Sequence, residues 1–232
     1  IVEKPQDGIA TVAERIAKLI NRRNENGQKT VLSLASGRSM RDLFVELVRL
    51  HKEEGLSFKN VIIFGSYEFY PLADKSLGSM AQIQNQLLDH IDILPENVHT
   101  FPGDLPKETI FTFCEEYEKA IEAAGGIDIQ VLGIGQCGNI AVNEPGTQPN
   151  SSTRLVIMDS NSRMDAKSLF GNASQVPTCA ITLGIETILK AKEVILLAFG
   201  QHKASILKQA IEEVASSACP ASYLQLHKNA SL

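Results

Sequence analysis

Apolar residues at Ile9, Val12, Ala13, Ile16, Leu19 and Ile20 recur at helical spacing with polar residues between them, so residues 9–24 predict an amphipathic helix. Asp7 offers its N-cap and Gly27 its stop. The pattern then changes to a short β-rich run, Thr30 to Ala35, before Leu43, Phe44, Leu47 and Val48 mark a second helix that Gly55 ends. Val61 to Phe64 is wholly apolar and predicts a buried strand, and Gly65 to Pro71 reads as the loop after it. Further along, the periodicity predicts a helix over 79–91, a short strand over 97–101, a long helix over 107–124 and a buried strand over 127–134. Past a Pro- and Gly-containing loop over 144–152, it predicts a strand over 154–158 and a helix over 160–170. A strand edge over 180–183 leads through Gly184 into a short helix ending near Ala191. A buried strand over 193–199, a helix over 201–216 and a last strand over 223–227 complete the chain.

Strands that are continuous apolar runs, alternating with helices, predict an α/β fold with a mostly parallel sheet covered by helices on both faces. No repeat, low-complexity stretch or Pro/Gly-rich linker interrupts the pattern, so residues 1–232 read as one domain. Sites in such sheets lie at the carboxyl ends of strands, where the strand order reverses. Four predicted strand ends carry unusual chemistry: Ser36 to Ser39, Gly65 to Tyr70, Gly135 to Glu144 and Gly200 to Lys203.

Composition narrows the partners. A net charge of −5 argues against nucleic acid or an anionic membrane surface, since both select a basic face. Apolar runs such as Val194 to Phe199 are far too short to span a bilayer. No signal-peptide pattern opens the sequence, and its start at Ile1 reads as trimmed. Cys114, Cys137, Cys179 and Cys219 are scattered without a zinc spacing, which fits reduced thiols in a cytoplasmic protein and predicts no metal.

Ser36-Gly37-Arg38-Ser39, between a strand and a helix start, has the makings of an anion cradle: backbone N–H groups, two hydroxyls and the positive end of the helix dipole. It is equally the composition of an ordinary βα turn with a serine cap. Lys203 opens a helix after a buried strand, where a cation opposes the dipole unless an anion joins it; a surface lysine reaching into water is the plainer alternative. Gly133-x-Gly135-x-x-Gly138 matches the dinucleotide fingerprint, and Asp159 stands near the distance of its ribose acid. That reading fails for want of a helix: six residues separate Gly138 from Pro145, against roughly 10–12 or more for a parallel crossover. Cys137 is a candidate nucleophile without an evident base. Glu68 and Glu144 are the carboxylates of the two central strand-end loops, with Glu144 the stronger acid–base candidate.

Val61 to Leu72, Leu132 to Pro145, Arg154, Val176-Pro177, Ala180 to Gly184 and Gly200 to Lys203 together resemble the glucosamine-6-phosphate deaminase (isomerase) family, over nearly the whole chain. The resemblance implies a three-layer Rossmann-like domain shared with 6-phosphogluconolactonases, and aldose–ketose isomerisation coupled to loss of ammonia. It further implies a phosphorylated amino sugar as ligand, no metal or organic cofactor, and a homo-oligomer. The family's Thr-Gly-Ser-Thr phosphate loop corresponds to Ser36-Gly37-Arg38-Ser39 and its phosphate lysine to Lys203; its phosphate arginine falls near Ser168, where Lys167 is the available cation. Its C2 base, an aspartate, is here Tyr67, ahead of Glu68 and Phe69. Its Asp-Gly-His-Ile-Ala-Phe-Asn-Glu-Pro motif is here Cys137-Gly-Asn-Ile-Ala-Val-Asn-Glu-Pro145, so Asn139 replaces the ring-opening histidine while its relay partner Glu144 stays.

Asparagine shuttles no proton near neutral pH, and a tyrosine of pKa about 10 is a poor base. The expectation is therefore a phosphosugar protein with weak or absent deaminase turnover. The alternatives are an enzyme with altered chemistry on another phosphosugar, isomerase or lactonase, and a non-catalytic regulatory or oligomer subunit.

Overall fold

The computed structural model describes residues 4–232. Six strands form one sheet in which every pairing is parallel: β1 (Thr30–Leu34), β2 (Val61–Gly65), β4 (Val98–His99), β5 (Ile129–Gly133), β8 (Glu193–Leu197) and β9 (Ala230–Ser231). Their order, β4-β2-β1-β5-β8-β9, grows outward from the β1–β5 pair in both directions. The order therefore reverses between β1 and β5, and the crevice beyond their carboxyl ends is the natural ligand position.

Alternation of side chains across the sheet builds two cores. Leu32, Leu34, Ile63, Val131 and Ile195 face one way, onto α1 (Pro5–Glu25), α2 (Arg38–Glu54) and α3 (Ser79–Gln86). Val31, Phe64, Leu132 and Leu196 face the other, onto α4 (Ile110–Ala123), α6 (Ile185–Leu189) and the inner side of α7 (Ala204–Glu212). This is the expected three-layer α/β arrangement with helices on both faces.

A second sheet departs from the sequence expectation. The segment read as a loop after Phe64 contains β3 (Tyr67–Tyr70), which pairs antiparallel with β7 (Cys179–Thr182), and β7 pairs antiparallel with β6 (Arg154–Ile157). Fully buried Ser66 makes the corner: its N–H donates to the Leu34 carbonyl and its own carbonyl accepts from Leu183 N–H. Phe69, Val142, Phe170 and Ala180 form a small core beneath this sheet and seat α5 (Ser160–Phe170) against it.

Smaller departures follow from local chemistry. α1 begins at Pro5, whose ring suits the first helical turn, so Asp7 lies inside that turn rather than capping it. The helix expected over 79–91 stops at Gln86 and continues as a 3-10 turn over Leu88–His90. The last expected strand is a 3-10 segment, Pro220–Leu226, and the edge strand comes later at Ala230–Ser231. No described helix is long and apolar enough to cross a membrane.

Candidate functional site

Three loops meet at the crevice, each because a parallel strand ends there. After β1, Gly37 starts α2 with φ of 120°, a backbone shape that favours glycine. Gly37 brings no side-chain cap and the first turn of α2 carries no acid, so its leading N–H groups have no side-chain partner. Ser39 packs its hydroxyl toward Gly133, the last residue of β5. Burial holds the Lys203 ammonium below its ordinary pKa, against the opposite pull of Asp165, and Arg38, exposed at the rim, lowers it a little further. After β8, Lys203 points back into the crevice and donates to the Ile134 carbonyl at 2.9 Å. Lys203 and the start of α2, which carries Arg38 and has no side-chain cap, thus both border the end of β5.

After β5, Gly135 N–H donates to the Asn139 carbonyl at 2.9 Å, closing a tight loop. The Asn139 amide folds over Gly135 so closely that a Cβ there would lie 1.9 Å from Asn139 Oδ1. Asn143 is fully buried and clamps the loop to the second sheet: its Nδ2 donates to Ile140 and Leu183 carbonyls at 3.1 and 2.8 Å, and its Oδ1 accepts from Arg154 Nη1 at 3.1 Å. This clamp delivers Glu144 to the cleft. Glu144 Oε1 accepts from Asp159 N–H at 3.2 Å, while its Oε2 is buried with no hydrogen-bond partner. Burial pushes the Glu144 carboxyl up; the adjacent Ser162 hydroxyl and the Asp159 N–H pull it down, and Asp159 and Asp165 raise it further. Beyond Glu144, a hollow of about 490 Å3 opens toward Thr147, Arg154 and Ile157.

A carboxyl raised in the folded state favours the native protein while protonated. That advantage is complete below the unfolded pKa, near ~4.3, and is lost as pH climbs through the folded value. Replacing Glu144 by glutamine is therefore expected to raise the melting temperature at pH 7–8, with the gap over the wild type closing below about pH 4. Calorimetric melts across that range check it.

Helix α5 walls the cleft through its first turns, whereas the sequence reading drew only Lys167 from it. Asn139 Nδ2 donates to Ser162 Oγ at 3.4 Å, Asn161 Nδ2 to Cys137 Sγ at 3.4 Å, and Gln136 Nε2 to Asp165 Oδ1 at 2.7 Å. Asp159 had a candidate role only as a ribose acid; here it caps α5, accepting from Asn161 N–H at 2.8 Å. Cys137 is half-buried with an amide, not a base, as its side-chain partner. Among the described residues no three His, Cys, Asp or Glu side chains gather as a metal site would need.

Two sequence expectations need correction. Glu68 is no cleft acid. It is 3 % exposed, and its carboxylate accepts from Phe69, Ser79 and Met80 N–H at 2.9, 2.7 and 2.8 Å, holding the start of α3. Burial pushes this carboxyl up, against the opposite pull of those three N–H groups. Lys167 is exposed, two residues past Asp165 and so about 200° further round α5, which turns it away from the cleft wall. Tyr67 is present at the cleft but as a bonded group: its hydroxyl and Ser36 Oγ are 2.9 Å apart, and burial pushes its phenol up.

Comparison with known proteins agrees with this geometry. The model of the family of glucosamine-6-phosphate isomerases and 6-phosphogluconolactonase matches residues 3–232. A putative glucosamine-6-phosphate deaminase-like protein of Bacteroides thetaiotaomicron is 47% identical over 231 residues, 99% of this chain, and this chain spans 35% of that relative's length. The glucosamine-6-phosphate deaminase of Shewanella woodyi is 41% identical over 224 residues, covering 96% of this chain and 84% of the relative. A solved monomeric glucosamine-6-phosphate deaminase superposes with a TM-score of 0.93 at 31% identity, covering 99% of this chain and 93% of that one. The 6-phosphogluconolactonase of Thermotoga maritima, at 22% identity and a TM-score of 0.71 over 93% of this chain and 89% of its own, shares the fold. By its sequence across almost its full length and by its three-layer architecture, this chain belongs to the glucosamine-6-phosphate isomerase/6-phosphogluconolactonase family.

Proposed function

We propose that the chain binds a phosphorylated amino sugar across the carboxyl ends of β1, β5 and β8, with little or no deaminase turnover. The observation that carries the binding half is that Lys203, bonded to the Ile134 carbonyl, and the start of α2, which has no side-chain cap and packs Ser39 toward Gly133, both meet the end of β5. A phosphate there gains charge-assisted bonds and relieves the repulsion between Lys203 and Arg38. Ser36, Gly37 and Ser39 complete the cradle, and the relatives named for glucosamine 6-phosphate supply the ligand class.

The catalytic half rests on what lines the other end. Moving the C2 proton of an aldose needs a base held at that carbon. Tyr67 in that position is a phenol raised by burial and bonded to Ser36, a weak base in a tied conformation. Asn139 carries no exchangeable acid–base proton near neutral pH. Each absent proton carrier removes ~10²–10⁴ in rate. The chain acts as one sugar-phosphate unit on this reading. Self-association forms no part of it, because a relative of closely similar fold is described as monomeric.

Calorimetric titration with glucosamine 6-phosphate, its N-acetyl form and inorganic phosphate tests the binding. Saturable heat with the sugars, displaced by excess phosphate, is expected; no heat at millimolar sugar would overturn it.

A further inference from the structure

Opening a pyranose hemiacetal moves protons only between oxygen atoms, whereas shifting its carbonyl takes a proton from carbon. One acid–base couple suffices for the first; the second needs a further base. This cleft holds such a couple. Glu144 Oε2 is buried and lacks a partner, its Oε1 accepts from the N–H of Asp159, the N-cap of α5, and Ser162 lies in the first turn of that helix. Asn139 Nδ2 donates to Ser162 Oγ at 3.4 Å, which leaves the serine's own proton free to turn toward Glu144. Asn139 thus orients the serine instead of carrying a proton. The other carboxylates nearby are engaged: Asp159 caps α5 and Asp165 accepts from Gln136.

We propose that Ser162 and Glu144 together open and close the hemiacetal ring of a bound aldohexose phosphate, so that the chain interconverts its anomers without moving the C2 proton. The inference rests on the phosphosugar reading above. In the opening step the O1–H proton passes to Ser162 Oγ as the serine proton passes to the Glu144 carboxylate. The O1 electron pair forms the C1=O bond, the C1–O5 bond breaks toward O5, and a water molecule protonates O5. Closure on the opposite face of C1 runs these transfers backward, returns the proton to water, and leaves the other anomer with Glu144 again ionised.

Several charges set the working pH. Asp159 and Asp165 face Glu144 and raise its pKa beyond the effect of burial. Arg154 lines the hollow on its far side, and Lys203 and Cys137 lie across the loop toward Asp165. The base limb of anomer exchange therefore falls above the ordinary glutamate range.

Two-dimensional exchange NMR on glucosamine 6-phosphate and N-acetylglucosamine 6-phosphate, with affinity measured on the same samples by calorimetry, tests the proposal. The expected result is anomer exchange well above the buffer rate, falling at least about tenfold in Ser162→Ala and in Glu144→Gln, the low end of a lost acid–base group. Ser162→Thr, which keeps the hydroxyl, retains the exchange, and Ser162→Ala keeps its affinity and loses the pH limb. Binding without faster exchange, or full exchange in Ser162→Ala, overturns the Ser162–Glu144 step and leaves the phosphosugar reading intact. Absence of binding overturns both.

Discussion

Replacing Lys203 by alanine is expected to weaken glucosamine 6-phosphate binding about 10- to 100-fold, because a charge-assisted hydrogen bond contributes ~1.5–3 kcal/mol. The ammonium holds the Ile134 carbonyl at 2.9 Å across the first residue beyond β5, so it stands where the glycine loop and the start of α2 converge. Binding to inorganic phosphate should fall by the same factor, since the lost contact is with the anion and not the sugar ring. The melting temperature should change little, because Lys203 is half-buried and its single carbonyl bond is replaceable by water. Calorimetric titration of both ligands reads the effect. Sugar and phosphate affinities within twofold of the wild type would remove Lys203 from the cradle.

The second large effect is on stability. Glu68→Ala strips three N–H groups of their acceptor, those of Phe69 and Ser79, which are buried, and that of Met80, which is part-buried. At ~1–3 kcal/mol for each unsatisfied buried donor, and with water entering part of the space, a loss of about 3–5 kcal/mol is expected. For a chain of this size that corresponds to a fall in melting temperature of roughly 6–20 °C. Gly78 supports the same account: a Cβ there would sit 2.8 Å from Glu68 Oε2, so the α3 start is built around the carboxylate. Thermal unfolding of Glu68→Ala checks it; an unchanged melt would mean that the N–H groups are satisfied by water and that Glu68 is free for another task.

Much of the architecture was legible in the pattern of apolar runs because both cores lie on faces of one sheet. Val61 to Phe64 and Val194 to Leu197 are buried on both sides and therefore read as unbroken hydrophobic strands. The same logic located the crevice, since the carboxyl ends of β1, β5 and β8 are where the glycine- and serine-rich turns fall. In the second sheet β6 and β7 were legible as short strands, but β3 and the separate antiparallel pairing were not. Tyr67 pairs with Thr182 and Arg154 with the same threonine, contacts between residues far apart in sequence whose local signals are a buried serine and a four-residue run.

The site divides along the same line. Ser36 to Ser39, Lys203 and Glu144 carry their meaning in local sequence, at glycine turns and helix starts. Ser162 and Asp165 do not, because an amphipathic helix with no glycine or metal spacing announces no chemistry, and only its packing against the β5 loop supplies one. Glu68 is the converse case. A carboxylate beside a cleft residue invites a catalytic role in sequence, yet alternation along β3 turns it away from Tyr67 and into the start of α3.

The central claim is that this cleft holds a phosphosugar but leaves its C2 proton in place. NMR of glucosamine 6-phosphate incubated with the protein in heavy water measures it, through the phosphorus signal and the C2–H signal together. The account predicts a phosphorus shift that saturates with protein and a C2–H signal that persists at the rate of the protein-free sample. Loss of the C2–H signal to deuterium, or release of ammonia, at a rate proportional to protein would contradict it.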